Sequence, residues 1–458
     1  MATRMTVFSH RMKWLGRIAF LFVCLSFSNQ SLAQTALGKD PRCPALNNIL
    51  SRIFPIHAET FVMEELTLTG LRRTSEDFVR QEIGFEAGCV ISIADAEAAA
   101  QRLRNTNFFL SVELTHEKIS PTGIRLHFNF EEKWTLTPVL RGGSGGGVSF
   151  LVVGLYDLNA FGAGVETGAQ YEQYAGAPGV SMWWRDPHVV TRDWRLAIDF
   201  SEVSRPVFFV NPDNDIYYTP LARLTRFSVM GIRRIANFEV GLGIEPLERY
   251  LLSEDFIAPK NNPNFSRRYE IGVNLKSTLR LNNLDLLDFR NNGSRFELNI
   301  EGLIPTSASV AQIVYRVSAL EQLFWAWGRG SNLGLRLQVI AVSSESLLSA
   351  VRLGSLDGVR GLLEGERIGR YAWNTNVEYR WTSLLTPLWA LQNVIFCDGG
   401  NTSETLSRWV QPVAISVGTG LRLGFRPIAR LRLRVDYALA VVGLRQRQSW
   451  IAGMQQYF

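Results

Sequence analysis

The stretch "AISVGTGLRLGF", Ala414–Phe425, alternates along its length. Ile415, Val417, Leu421, Leu423 and Phe425 fall on one side; Ser416, Gly418, Gly420, Arg422 and Gly424 fall on the other. Period two is the repeat of an extended strand, whose successive side chains point to opposite faces. The nearby "LRLRVDY" opposes Leu431, Leu433, Val435 and Tyr437 to Arg432, Arg434 and Asp436. Farther upstream, "RFELNIEG" opposes Phe296, Leu298 and Ile300 to Glu297, Asn299 and Glu301. In a soluble sheet the apolar side would meet a core and the polar side bulk water. In a membrane barrel the apolar side meets lipid and the polar side a wet lumen. Alternation alone does not separate the two.

The N-terminus and the composition do. Arg4, Arg11, Lys13 and Arg17 precede the short apolar run "IAFLFVCLSF" (Ile18–Phe27), and "SLA" precedes Gln34. That pattern reads as a secretory signal peptide over residues 1–33, cleaved after Ala33. The run is about half the ~20 apolar residues a membrane helix needs. Val23 is too bulky for Cys24 to mark a lipid attachment site. Removing four cations and no acids lowers the formal charge from +6 to +2, so the basic balance lends no support to a nucleic-acid partner. Cys43, Cys89 and Cys397 remain. Export permits a Cys43–Cys89 disulfide, and no metal-ligand spacing links the three. An exported chain of this length without a helix-length apolar run is periplasmic, secreted or an outer-membrane barrel. The unbroken series of strands and the terminal Phe458 favour an all-β transmembrane barrel. Residues 137–458 number 322, which at about ten residues per tilted strand, plus turns and loops, makes roughly sixteen antiparallel strands. Aromatics in "SMWWRDP", "LFWAWGRG" and "YAWNTNVEYRW" suit interfacial girdles.

Residues 61–133 read differently. "FVMEELTLTG" alternates as a strand and stops at Gly70. Thr74 or Ser75 can cap a helix through Ile83, with Glu76 and Asp77 at its positive end. Ser92 caps a second helix whose buried side is expected to carry Ala94, Ala98 and Leu103. "FFLSVELTHE" and "IRLHFNFEE" follow as strands around the turn "SPTG". This β-α-α-β-β order resembles a polypeptide-transport-associated (POTRA) domain, an α/β unit whose strand edges can accept an extended client chain. The chain thus divides into signal peptide 1–33, linker 34–60, POTRA-like domain 61–133 and barrel 134–458.

With these parts in order, the mature chain resembles the BamA/TamA-type superfamily of outer-membrane assembly and translocation barrels. "EKWTLTP" follows the POTRA-like unit, and "GVSFLVVGLYDLNAFGAG" carries Asn159, Gly162 and Gly164 at the superfamily's spacing. Arg185, Asp186 and Pro187 of "WWRDP" close an early hairpin. "DGVRGLLEG" matches a Val-Arg-Gly-aromatic signature with Leu362 in the aromatic position. "NTNVEYRW" supplies Glu378, and "FCDGGN" matches Phe-x-Asp-x-Gly through Phe396, Asp398 and Gly400. "GMQQYF" keeps Gly453 and Phe458 of the barrel-recognition signal, with Gln456 in a usually apolar position. The resemblance implies that Val359, Arg360 and Gly361 tip a loop folded into the lumen. There Arg360 would meet Asp398, with Glu378 nearby, as an internal latch.

"RGGSGGG" (Arg141–Gly147) formally contains a nucleophile-elbow pattern around Ser144. That motif needs a strand-turn-helix setting with a downstream acid and histidine, and only His188 follows it, in strand-like surroundings. No lysine follows as a phosphate loop requires. The chain therefore reads as a non-enzyme without cofactor or metal, and the glycines as a flexible hairpin turn or a deliberately weak first strand. The resemblance leaves three readings: an insertase for outer-membrane β-proteins, a secretion pore for a dedicated exported partner, and a porin-like or structural barrel. It implies the outer membrane of a Gram-negative bacterium, with the POTRA-like unit in the periplasm. The implied partners are the lipid bilayer, unfolded outer-membrane or exported clients, and periplasmic chaperones or accessory proteins.

Overall fold

A computed structural model describes residues 59–454, apart from 146–147, 175, 190, 207–208, 211–215, 219–220, 236, 252–268, 307–311, 329, 345, 355–357, 364, 410–412 and 443–444. The expected signal peptide, linker residues 34–58, Gln456 and Phe458 lie outside the described residues.

The first unit comprises β1 (Thr60–Thr69), α1 (Glu76–Ile83), β2 (Val90–Ser92), α2 (Ile93–Asn105), β3 (Phe109–Lys118) and β4 (Gly123–Glu132). Its sheet runs β2-β1-β4-β3, with β1 parallel to β4. The short β2 was not anticipated between the helices, because three residues are too few to show a period. Ser75, rather than Thr74, caps α1 by accepting from the Phe78 N–H. Ser92 and Asp95 form a reciprocal capping box on α2. The buried stripe of α2 is Ala96, Ala99, Ala100 and Leu103, whereas Ala94 and Ala98 are exposed. The step from Ala96 to Leu103 is two helical turns; the step from Ala98 to Leu103 is far out of phase. Met63, Val79, Ile83, Ile91, Leu126 and Phe128 complete the core between helices and sheet.

The barrel strands are β5 (Leu136–Gly145), β6 (Val148–Ala160), β7 (Val165–Tyr174), β8 (Ala177–Asp186), β9 (Trp194–Pro206), β10 (Leu221–Ile235), β11 (Phe238–Leu251), β12 (Tyr269–Leu287), β13 (Arg290–Pro305), β14 (Val314–Trp327), β15 (Ser331–Val342), β16 (Tyr371–Leu385), β17 (Trp389–Ser403), β18 (Ala414–Phe425), β19 (Arg432–Val442) and β20 (Arg445–Met454). These sixteen strands pair in chain order, and β20 pairs with β5 to close the ring. Closure gives backbone donors and acceptors partners around the ring, the condition for crossing lipid with strands.

The two faces follow from period two. Outside, Ile415, Val417 and Leu421 of β18, Leu433, Val435, Leu439 and Val441 of β19, and Leu151, Val153 and Leu155 of β6 are all exposed. Inside, Ser416, Arg422, Arg434 and Asp436 are buried. So extensive an exposed apolar surface is that of a barrel wall facing lipid. Toward the end nearest the POTRA-like unit, Tyr379 stacks with Trp327 and Trp381 at centroid separations of 5.9 and 5.7 Å, and Trp389 packs on Phe425 at 4.6 Å. These rings suit an interfacial belt. Among the described residues no helix is long and apolar enough to cross a membrane.

Candidate functional site

The β15–β16 connection carries a small hairpin, Val351–Leu353 with Arg367–Gly369, and between its arms a tip that enters the barrel. Val359 and Arg360 at that tip are fully buried. The Arg360 backbone N–H donates to Asp398 Oδ2 at 3.1 Å. Its Nε donates to the same oxygen at 2.7 Å, and Nη2 donates to Oδ1 at 2.8 Å. This is the two-pronged arginine–carboxylate geometry that a desolvated guanidinium requires. Arg360 Nη1 reaches Glu378 Oε2 at 3.4 Å and lies 3.6 Å from Asp436 Oδ2. The guanidinium carbon also sits 3.4 Å from the centroid of the Phe396 ring, a cation–π contact strengthened by the full burial of Arg360.

The wall behind the tip extends this pair. Arg422 Nη1 donates to Asp436 Oδ1 at 2.5 Å, and its Nη2 to Glu378 Oε1 at 2.9 Å. Arg380 Nε donates to the same Glu378 oxygen at 3.1 Å. Three arginines and three carboxylates, each at most 1 % exposed, thus meet across β16, β17, β18, β19 and the loop tip. Motif reading named Arg360, Asp398 and Glu378 and missed Arg380, Arg422 and Asp436. Two of the missing three had a signal of facing, since alternation puts Arg422 and Asp436 on the polar sides of β18 and β19.

Packing holds the tip as well. Leu362 fills an apolar cluster with Leu353, Val359, Ala414, Ala440 and Val442. Gly361 has φ +94, and a Cβ there would lie 2.8 Å from the Ala440 Cβ, so both backbone and space call for glycine. Gly400, opposite Asn374 in the β16–β17 register, offers a side-chain-free seat beside Val359.

Asn159, Gly162 and Gly164 stand elsewhere, in the β6–β7 turn, where they seat the POTRA-like unit. Asn159 Nδ2 donates to Thr74 Oγ1 at 2.9 Å, and its Oδ1 accepts from Gly164 N at 2.7 Å. The Gly162 carbonyl accepts from the Ser75 N–H at 2.9 Å. Gly162 has φ +72, and an added Cβ would sit 2.1 Å from the Arg73 carbonyl oxygen. Other turns at this mouth join in. His188 bonds Glu82 at 2.9 Å, Asn105 Nδ2 donates to Asp285 at 3.1 Å, and the Trp134 N–H donates to the Pro427 carbonyl at 2.8 Å. Burial alone would raise the Glu82 carboxyl. The His188 hydrogen bond and the charges of Arg234, His188 and Arg102 outweigh it and hold Glu82 below the ordinary carboxylate range.

Among the described residues the closing seam is short. β5 and β20 pair at four positions among the described residues: Ser144 with Trp450, Gly143 with Ile451, Gly142 with Ala452, and Arg141 with Gly453. By contrast, β19 and β20 pair from Leu433–Met454 to Val442–Arg445. Ser144 lies within a paired strand, without the strand-turn-helix setting of a hydrolase nucleophile. Cys89 is disulfide-bonded to a partner outside the described residues, and Cys397 is a free thiol on the outer face of β17.

A lipid-facing, closed antiparallel barrel with an α/β unit seated across several turns of one mouth defines the class: a transmembrane β-barrel carrying a POTRA domain. Residues 61–133 match the family model for POTRA, described as surface antigen variable number repeat. No curated protein matches the chain. Among solved structures, BamA from Haemophilus ducreyi lacking POTRA domains 1–3 is similar, with a TM-score of 0.52 at 15% identity, over 86% of this chain and 85% of that one. CdiB from Acinetobacter baumannii gives a TM-score of 0.58 at 12% identity, over 87% and 74% of the two chains. CdiB from Escherichia coli gives 0.57 at 12% identity, over 86% and 76%. The chain has the BamA-type barrel fold with one POTRA domain.

Proposed function

We propose that this chain acts in the assembly or insertion of β-barrel proteins into the outer membrane of a Gram-negative bacterium, with its POTRA domain in the periplasm receiving unfolded clients. The short β5–β20 seam carries the reading. Its four paired positions among the described residues include Gly142 and Gly143, and glycine weakens a strand. The seam is therefore the place where the wall opens sideways at least cost. The loop tip and its charges occupy the lumen beside β16–β19, which favours a lateral route over an axial one.

A second reading, a pore for a dedicated exported protein, draws on the opposite wall. There Arg195, Glu239, Arg280 and Glu297 form a polar ladder suited to a wet conduit. One experiment separates them. Gly142→Cys with Ala452→Cys, in a Cys397→Ser background, locks the seam on oxidation. Insertion of a model barrel by the purified chain in liposomes should stop on oxidation and return on reduction. Undiminished insertion with the seam locked would remove the lateral route and leave the lumen as the path.

A further inference from the structure

We propose that Glu366 and Arg447 link the lumenal loop to the closing strand, so that a seated loop holds β20 in register at the seam. The inference rests on the seam reading above and deepens it by naming the residues that couple loop and gate.

Glu366 lies six residues beyond Arg360 and is buried. Its Oε2 accepts from the Leu363 N–H at 2.8 Å, and the Glu366 N–H donates to the Leu363 carbonyl at 3.2 Å, so the carboxylate closes a tight turn just past the tip. The other oxygen, Oε1, lies 3.4 Å from Arg447 Nη2 on β20. A second contact occurs at the same level. Gly361 packs against Ala440, and Ala440 is the register partner of Arg447 across β19 and β20. Thus the loop touches β19 by packing and β20 by charge at one rung. The β20 register with β5 spans Trp450–Gly453, and Arg447 lies on the stretch of β20 beyond it. Holding that stretch inward aligns the strand as it enters the seam.

The geometry assigns different work to the charges near the tip. Asp398, Glu378 and Asp436 seat Arg360 on the wall; Glu366 carries that seating to the last strand. Arg447 is a positioning residue in this scheme.

The test uses the same cysteine pair, Gly142→Cys with Ala452→Cys in the Cys397→Ser background, as a register gauge in the membrane-embedded full chain. Glu366→Gln keeps an acceptor for the Leu363 N–H and removes the charge. Arg447→Gln removes the cation, and Arg447→Lys keeps it. The initial rate of disulfide formation should fall about threefold in Glu366→Gln and in Arg447→Gln, the scale of a partly exposed ion pair. The double Gln variant should be no slower than either single, and Arg447→Lys should stay near the parent. Equal rates in all variants, or additive losses in the double, would overturn the link. Insertion assayed in parallel keeps the readings apart. A slowed gauge with unchanged insertion keeps the link and sinks the insertase reading, and an unchanged gauge with intact insertion does the reverse.

Discussion

Arg360 and Asp398, 38 residues apart in the chain, meet through two parallel hydrogen bonds of 2.7 and 2.8 Å, with neither side chain exposed. Removing one partner leaves the other charge buried without its principal counter-ion, which costs about 3–5 kcal/mol. Arg360→Ala and Asp398→Ala should therefore each lower the urea midpoint of the folded barrel and open the tip to protease. The double variant should lose little more than either single, because both remove one interaction. Additive losses would show that the two side chains act apart.

Glu378 receives Arg380 and Arg422 and lies within reach of Arg360. Glu378→Gln leaves three guanidinium groups facing two carboxylates. It should destabilise the barrel by at least as much as Asp398→Asn, again about 3–5 kcal/mol. Heat-modifiable gel mobility of the purified barrel measures the difference. A milder effect at Glu378 would mean that Asp398 alone anchors the loop.

Gly162→Ala should unseat the POTRA domain while leaving the barrel folded. The substitution forces a Cβ to within 2.1 Å of the Arg73 carbonyl oxygen at a φ of +72, where a side chain is also strained. Lys133, buried at the junction of the two units, supplies the readout. Trypsin should cut after Lys133 at least tenfold faster in the variant, with heat modifiability unchanged. Equal cutting rates would show that the turn does not hold the domain.

Acid should release the domain late. A carboxyl whose value is lowered by folding contributes stability above its unfolded value, and that contribution is lost only as pH falls through the lowered one. Glu82 is held low by His188, Arg234 and Arg102 against the effect of burial. Its share of docking should therefore persist from neutral pH to about 5, above the ordinary carboxylate range. Glu82→Gln should speed tryptic cutting at neutral pH and flatten the rise at lower pH. A parent chain and a variant with the same acid response would remove Glu82 from the interface.

The strands were legible because they repeat every two residues over a long span, so Ile415 and Arg422 declared their faces without knowledge of any neighbour; the barrel needed the signal peptide and the unbroken series of strands as well. Arg360 and Asp398 were legible for another reason: both sit in short motifs whose order along the chain is distinctive. Arg380, Arg422 and Asp436 were not, since alternation says which side a residue faces and not which side chains converge across five segments. The partners of Asn159 and Gly162 were hidden likewise. Thr74 and Ser75 are some eighty residues away in a different unit, and no periodicity reaches between domains. The error at Ala94 and Ala98 came from phase, because an alanine-rich helix offers several stripes and only Leu103 selects among them.

The lumenal seat balances only when the loop occupies it. With Arg360 withdrawn, Arg380 and Arg422 would face Glu378, Asp398 and Asp436, two positive charges against three negative. A vacated seat is an anionic socket, and the field that forms as the loop leaves draws it home. Lasting displacement then calls for an exchange of cations, one entering as Arg360 departs.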